Sequence, residues 1–269
     1  MLVIIDSDSL CYSNSFAVEV KSEETGEPEV CENGEKFLRS KLRKSIQTIV
    51  EETGATDYKL FLTGKGNFRE EDVDAVPTLY KANRANMRRP LLLQEARQYL
   101  VDEFNAIVVE GMEADDVVCI EQQHCLDHDI DCCIAHIDKD INQQEGWHYR
   151  WEIFSKPSSM YFVTAEEGLR NLYVQALVGD KVDNIMYYYS DESGTWKKNY
   201  GLGQKGAEKY LATHHTEIEM YQAVLNCYLE HPKFVKKDTG VQTTVDDLHM
   251  NMMMLYMLRT YEDKWEAPQ

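Results

Sequence analysis

Short apolar runs alternate with longer segments of helical period along the first 180 residues, and this alternation most restricts what the chain can fold into. Residues 2–5 form an apolar run closed by Asp6, the mark of a buried strand. Leu38, Leu42, Ile46, Ile49 and Val50 then recur at helical spacing, and Gly54 supplies a stop. Residues 58–64 read as a second strand, 92–104 as a helix and 106–109 as a strand. GMEADDVV (111–118) opens the next helix, and 132–137 is a strand that again ends in acids, DKD. Residues 146–154 alternate enough for a hairpin or an edge pair. Thr164 and Glu167 stand at capping-box spacing before another helix. Beyond Asp183 the pattern reads as all-helical: a glycine-rich turn at 201–206, then helices near 205–213, 216–230 and 243–259. The order predicts an α/β fold, a mainly parallel central sheet flanked by helices and completed by a helical lobe. We expect the core over 1–178, including a basic region at about 79–100, and the helical lobe over 179–269, together one compact unit.

Charge narrows the function. A net charge of −19 over 269 residues argues against a protein that coats nucleic acid, but not against one that grips it locally. The acids are concentrated in places such as KSEETGEPEVCENGE (21–35), which reads as a solvated loop. LYKANRANMRRP (79–90) carries Lys81, Arg84, Arg88 and Arg89 with no acid. The seven cysteines form no disulfide framework, and no stretch has the length or apolarity of a membrane span or a signal peptide. The expectation is a cytoplasmic protein with no membrane attachment.

GMEADDVV places Glu113, Asp115 and Asp116 within four positions. A helix N-terminus accommodates one or two acids, but three repel one another. In a sheet of this kind ligands gather outside the carboxyl ends of the strands. Asp6 ends the first strand, Asp138 and Asp140 follow the 132–137 strand, and the acids of 113–116 follow the 106–109 strand. Oxygen-only ligation of this type suits Mg²⁺ or Mn²⁺. GDKVDNI (179–185) adds Asp180 and Asp183, which alone read as a helix cap and beside the other acids as a second metal position. Two such cations about 4 Å apart clamp both the attacking and the leaving oxygen of a phosphodiester. Lys81 and Arg84 then neutralise the scissile phosphate, Tyr80 either stacks on an unpaired base or covers the basic segment, and Arg88 and Arg89 read as phosphate contacts or solvated charge.

Asp6 after its strand, YKANR, GMEADD, DKD, GDKVDNI and GLGQKGAEKYL follow one another in the order found in the 5′-nuclease (flap endonuclease-like) family. The chain resembles above all the small bacteriophage 5′–3′ exonucleases, from about residue 2 to about 213. The resemblance implies a helical arch over the active site and a helix-three-turn-helix element that holds duplex DNA. It places Asp6, Glu113, Asp115, Asp116, Asp138, Asp140, Asp180 and Asp183 on the metal-binding acids, and Lys81 and Arg84 on the residues that contact the reacting phosphate. Gly201, Gly203 and Lys205 fall on a glycine hairpin where backbone N–H groups and a monovalent cation such as K⁺ meet a DNA phosphate. The implied activity is divalent-metal-dependent hydrolysis of DNA, as a 5′–3′ exonuclease, a flap endonuclease or both. Duplex DNA with a 5′ end or flap, or an RNA–DNA hybrid, is the implied partner, in replication or repair. The alternatives are a non-catalytic DNA-structure-binding protein and a PIN-like ribonuclease. Two departures stand out: Thr63 and Gly64 occupy a place where the family commonly carries an acid, and 186–200 is an insertion.

Overall fold

The computed structural model describes residues 1–71, 80–84, 87–153 and 156–269, with only the backbone of residues 70 and 71. Residues 79, 85 and 86 of the expected arch region, about 79–100, lie outside the described residues.

The chain divides into two compact units. The first comprises Met1–Asn67, Arg88–Val163 and Leu258–Tyr261; the second comprises Phe68–Met87, Thr164–Met257 and Glu262–Gln269. In the first, β1 (Leu2–Asp6) runs directly into α1 (Ser7–Phe16). A small antiparallel ribbon follows, β2 (Glu19–Lys21) with β3 (Pro28–Val30), so the acidic stretch expected as a loop contains a turn of sheet closed at Gly26 (φ +75°). Then come α2 (Gly34–Thr53) and β4 (Asp57–Thr63). Helix α2 buries Leu38, Leu42, Ile46 and Ile49 along one stripe, and Gly54 in the left-handed region ends it (φ +66°).

The short α3 (Phe68–Glu71) belongs to the second unit. The first resumes with α4 (Leu93–Phe104), β5 (Ile107–Val109), α5 (Ala114–Asp127), β6 (Cys132–Ala135), β7 (Gly146–Arg150) and β8 (Ser159–Val163). Among the described residues these strands form one six-stranded sheet in the order β5-β4-β1-β6-β7-β8, parallel except for β8 at one edge. Of the hairpin or edge pair expected over 146–154, the described residues give the second: β7 pairs with β6 and, antiparallel, with the edge strand β8, which the sequence reading passed over. All four residues of β6 are buried, as expected of a strand covered on both faces. The chain moves outward from β1 to β4 and β5, then returns to β1's other side as β6. The topological switch point, where such sheets leave a crevice, thus lies between β1 and β6.

The second unit is built on α6 (Ala165–Val178), which opens with a complete Thr164–Glu167 capping box. It is not all-helical, because the 186–200 insertion forms an antiparallel ribbon, β9 (Tyr187–Ser190) with β10 (Thr195–Lys198). Helices α7 (Gln204–Leu211), α8 (Glu217–Glu230) and α9 (Val245–Leu255) pack with α6 around Tyr173, Leu177, Met220, Tyr228, Phe234 and Met252. Helix α9 stops at Leu255, short of the expected residue 259. No described helix is long and apolar enough to cross a membrane.

Candidate active site

Asp6 ends β1 at the switch point with 1% of its surface exposed. It is the N-cap of α1: one carboxylate oxygen accepts the Asp8 N–H (3.2 Å) and the other the Ser9 hydroxyl (2.7 Å). Burial pushes its pKa up to about 7, and the neighbouring Asp8 and Asp138 carboxylates add to the rise, against the two hydrogen bonds. Asp138 follows β6, and its side chain accepts the Asp140 N–H (2.9 Å). The Asp138 carbonyl accepts from His136 Nδ1 (2.6 Å), whose other ring nitrogen meets His148 (2.9 Å) in the interior. Desolvation holds both imidazoles far below their usual range, at about 3 and about 4, so the turn bearing Asp138 rests on neutral rings. Asp140 faces Lys139 (3.7 Å).

Glu113 is the N-cap residue of α5, with Asp115 and Asp116 in the first turn. Asp116 is fully buried and accepts the Leu258 N–H (3.3 Å). No side-chain bond from Glu113 caps the helix; the Thr63 hydroxyl, at the end of β4, accepts the Ala114 N–H instead (2.9 Å). Thr63 is itself held by Asp8, which accepts its N–H (2.9 Å), and by Arg97, which bonds both Asp8 and the Thr63 carbonyl. Sequence reading missed Thr63 and Arg97 as positioning residues, since Arg97 lies 89 positions from its partner Asp8. Thr63→Val should cost about 1 kcal/mol, the loss of a helix cap, seen as a lowered denaturant midpoint with an unchanged slope.

Gly64, where the resemblance leads one to expect an acid, is sterically constrained. Gly64 donates its N–H to the Val109 carbonyl (2.6 Å), and a Cβ there would stand 2.4 Å from that oxygen and 2.8 Å from Glu110 Oε1. Glu110 in turn accepts the Lys65 N–H (2.8 Å), so an acid from the adjacent strand end sits at this position.

The remaining candidates lie in the second unit, except Arg88 and Arg89. Asp180 folds over its own turn, accepting the N–H groups of Val182 (2.6 Å) and Asp183 (3.0 Å). Arg84 bonds the Asp183 carboxylate, Lys81 approaches it (3.9 Å), and the Lys81 N–H donates to the Asp183 carbonyl (3.0 Å). Lys81 adopts a left-handed backbone (φ +53°), and its ammonium lies 5.0 Å from the centre of the Tyr80 ring. In the first unit Arg88 pairs with Glu19 (2.6 Å) over the Phe16 ring, while Arg89 is exposed. Gly201 (φ +101°) and Gly203 frame a turn into α7, with Lys205 exposed on its first turn.

Asp6, Asp116, Asp138, Asp180 and Asp183 thus each accept from donors of their own. Among the described residues no three or more His, Cys, Asp or Glu side chains are arranged to hold one metal ion. The donor chemistry nevertheless fits a hard divalent cation: a buried carboxyl raised by two like charges at a strand-end crevice is a place where such a cation offsets the repulsion.

No protein-family model matches the sequence, and no curated protein sequence matches it either. The fold, a mainly parallel sheet with flanking helices, is that of phage-type 5′-nuclease structures. The crystal structure of the bacteriophage T5 D15 protein co-crystallised with metal ions aligns over 94% of this chain and 88% of its own, with a TM-score of 0.59 and 15% identity. T5 5′-exonuclease with bound zinc aligns over the same shares at a TM-score of 0.59 and 17% identity. A T5 D15 flap endonuclease complex with DNA and metal ions gives 0.55 and 16%, again over 94% and 88%. At these identities the likeness is one of fold.

Proposed function

We propose that this chain is a divalent-metal-dependent 5′-nuclease that hydrolyses DNA phosphodiester bonds, as a 5′–3′ exonuclease, a flap endonuclease or both. The observation that carries the reading is Asp6, buried at the switch point and raised to about 7 by desolvation and by Asp8 and Asp138. A carboxyl placed at such a cost at the crevice of an α/β sheet is characteristic of a functional site. Asp6 and Asp138 would hold Mg²⁺ or Mn²⁺, with Glu113, Asp115, Asp116 and Asp140 as further oxygen donors; the reading also gives Asp180 and Asp183 to the metal set. A bound cation would supply positive charge for the attacking and leaving oxygens.

The chain's own residues do the rest. The neutral His136–His148 pair fixes the Asp138 turn, and Arg97 with Thr63 fixes the start of α5 and hence Asp115 and Asp116. Lys81 and Arg84, now neutralising Asp183, are assigned to the reacting phosphate, where a guanidinium and an ammonium stabilise developing charge. Tyr80, Arg88, Arg89, Lys205 and the turn at Gly201 and Gly203 are assigned to the DNA backbone and bases. That structures of the same fold have been solved with metal ions and with DNA supports a reading in which metal and DNA are the ligands.

The test is digestion of 5′-labelled flap, nicked, blunt and RNA–DNA hybrid substrates with Mg²⁺ or EDTA. Asp138→Ala should lower cleavage about a thousandfold while binding survives. Cleavage by Asp138→Ala at the parental rate would remove the catalytic assignment. A second reading, a DNA-structure-binding protein without catalysis, draws on the donors that Asp6, Asp116, Asp138, Asp180 and Asp183 already have. It expects binding indifferent to EDTA and no cleavage by the parent.

A further inference from the structure

Lys198, the last residue of β10, points its ammonium at backbone carbonyls. It donates to the carbonyl oxygen of Val178 (2.7 Å) and to that of Leu202. Val178 is the last residue of α6, where carbonyls lack N–H partners and the helix end is negative. Leu202 lies between Gly201 and Gly203. The turn is pressed onto the helix end: Leu202 donates its N–H to the Leu177 carbonyl (2.7 Å) and Gly201 to the Lys233 carbonyl (2.7 Å). A Cβ on Gly201 would meet Met186 at 2.5 Å and the Leu177 oxygen at 2.8 Å. Carbonyls converging from a helix end and a glycine turn are the donor set of a weakly hydrated monovalent cation. Here an ammonium of equal charge already fills that role, so the K⁺ expected at the glycine hairpin does not fit.

The surroundings are cationic as well. Burial, with the neighbouring Lys237 and Lys233 adding to it, draws Lys198 down to about 8. The Lys237 ammonium donates to the Lys198 carbonyl (3.2 Å), and Asn199 fixes the segment by accepting the N–H groups of Lys237 (2.7 Å) and Asp238 (3.4 Å). Three lysines are therefore gathered at one turn of a chain whose net charge is −19. An anion would relieve their mutual repulsion.

We propose that Lys198 is the built-in cation of the glycine turn, and that with Lys233 and Lys237 it holds a nucleic-acid phosphate without a bound potassium ion. The phosphate part rests on the DNA reading above; the cation part does not.

The experiment measures binding of a fluorescent 5′-flap DNA in EDTA, and thermal unfolding without DNA. Both are done in KCl, NaCl and tetramethylammonium chloride at equal ionic strength. Parental affinity and melting temperature should be the same in all three salts. Lys198→Ala, which empties the carbonyl pair, should bind about tenfold more weakly in tetramethylammonium, the loss of a charged hydrogen-bonding group, and recover in KCl. Its melting temperature should rise with K⁺ in the same way. Lys198→Met, which fills the space without charge, should stay weak in every salt, and Lys233→Gln with Lys237→Gln should weaken binding and flatten its salt dependence. A parent that needs K⁺, or a Lys198→Ala protein indistinguishable from the parent in every salt, overturns the proposal. If the parent binds no DNA, the phosphate part falls with the DNA reading, and the K⁺-specific melting of Lys198→Ala still decides the cation part.

Discussion

Asp6→Asn is expected to stabilise the metal-free protein and, in the same variant, to abolish metal-dependent cleavage. Asparagine keeps the N-cap, since its amide oxygen accepts hydrogen bonds as the carboxylate does, and it removes the buried charge. In the parent the folded state holds on to a proton up to about pH 7, whereas an ordinary aspartate loses it near 4. Between these values the folded state carries more protons than the unfolded one, so stability falls as pH rises, by at most about 1.4 kcal/mol per unit. Urea unfolding in EDTA at pH 5 and pH 8 should show this decline in the parent and a shallower one in Asp6→Asn. Added Mg²⁺ should restore stability at pH 8 only where Asp6 is present. An asparagine variant less stable than the parent at pH 8 in EDTA would mean that the carboxylate is an ordinary cap.

Gly64→Asp, which would put at the strand end the acid that the sequence resemblance leads one to expect, should damage the protein rather than improve it. The new Cβ would lie 2.4 Å from the Val109 carbonyl oxygen, closer than bonded strands tolerate, and its carboxylate would meet Glu110. Parting β4 from β5 should cost about 1–3 kcal/mol by overpacking, more if the Gly64–Val109 hydrogen bond is lost. Thr63 would move with the strand, and Thr63 anchors the first turn of α5. The expected result is a lower melting temperature and cleavage no higher than the parent's. A gain in activity at unchanged stability would show that the backbone yields there, and that the missing acid is a real deficit.

Much of the fold is legible in the sequence because burial writes its period directly. The stripe through Leu38, Leu42, Ile46 and Ile49, the fully apolar β6 and the Thr164–Glu167 box each announce their element. What escapes is short or paired at a distance. Strand β8, with the sequence SMYFV, alternates weakly between polar and apolar residues. The β9–β10 ribbon carries strand signals, a tyrosine run and a Ser-Asp-Glu-Ser-Gly turn, but sits in a helical neighbourhood that biased its reading. The strand-end acids Asp6 and Asp138 stand out by position alone. That Asp6 is spent on a helix cap, Asp8 on Arg97 and Asp183 on Arg84 is invisible in sequence, since each depends on partners brought close only by the fold. Arg88 is the same case: a basic island looks like free charge until Glu19 is found beside it.

On the proposed reading, the ion cluster at Asp183 would couple two kinds of visitor. An anion that draws Arg84 and Lys81 toward itself would weaken their pairing with Asp183, and a cation at Asp183 would weaken the same pairs. Each would then prepare the ground for the other, and linkage requires that help to be equal in both directions.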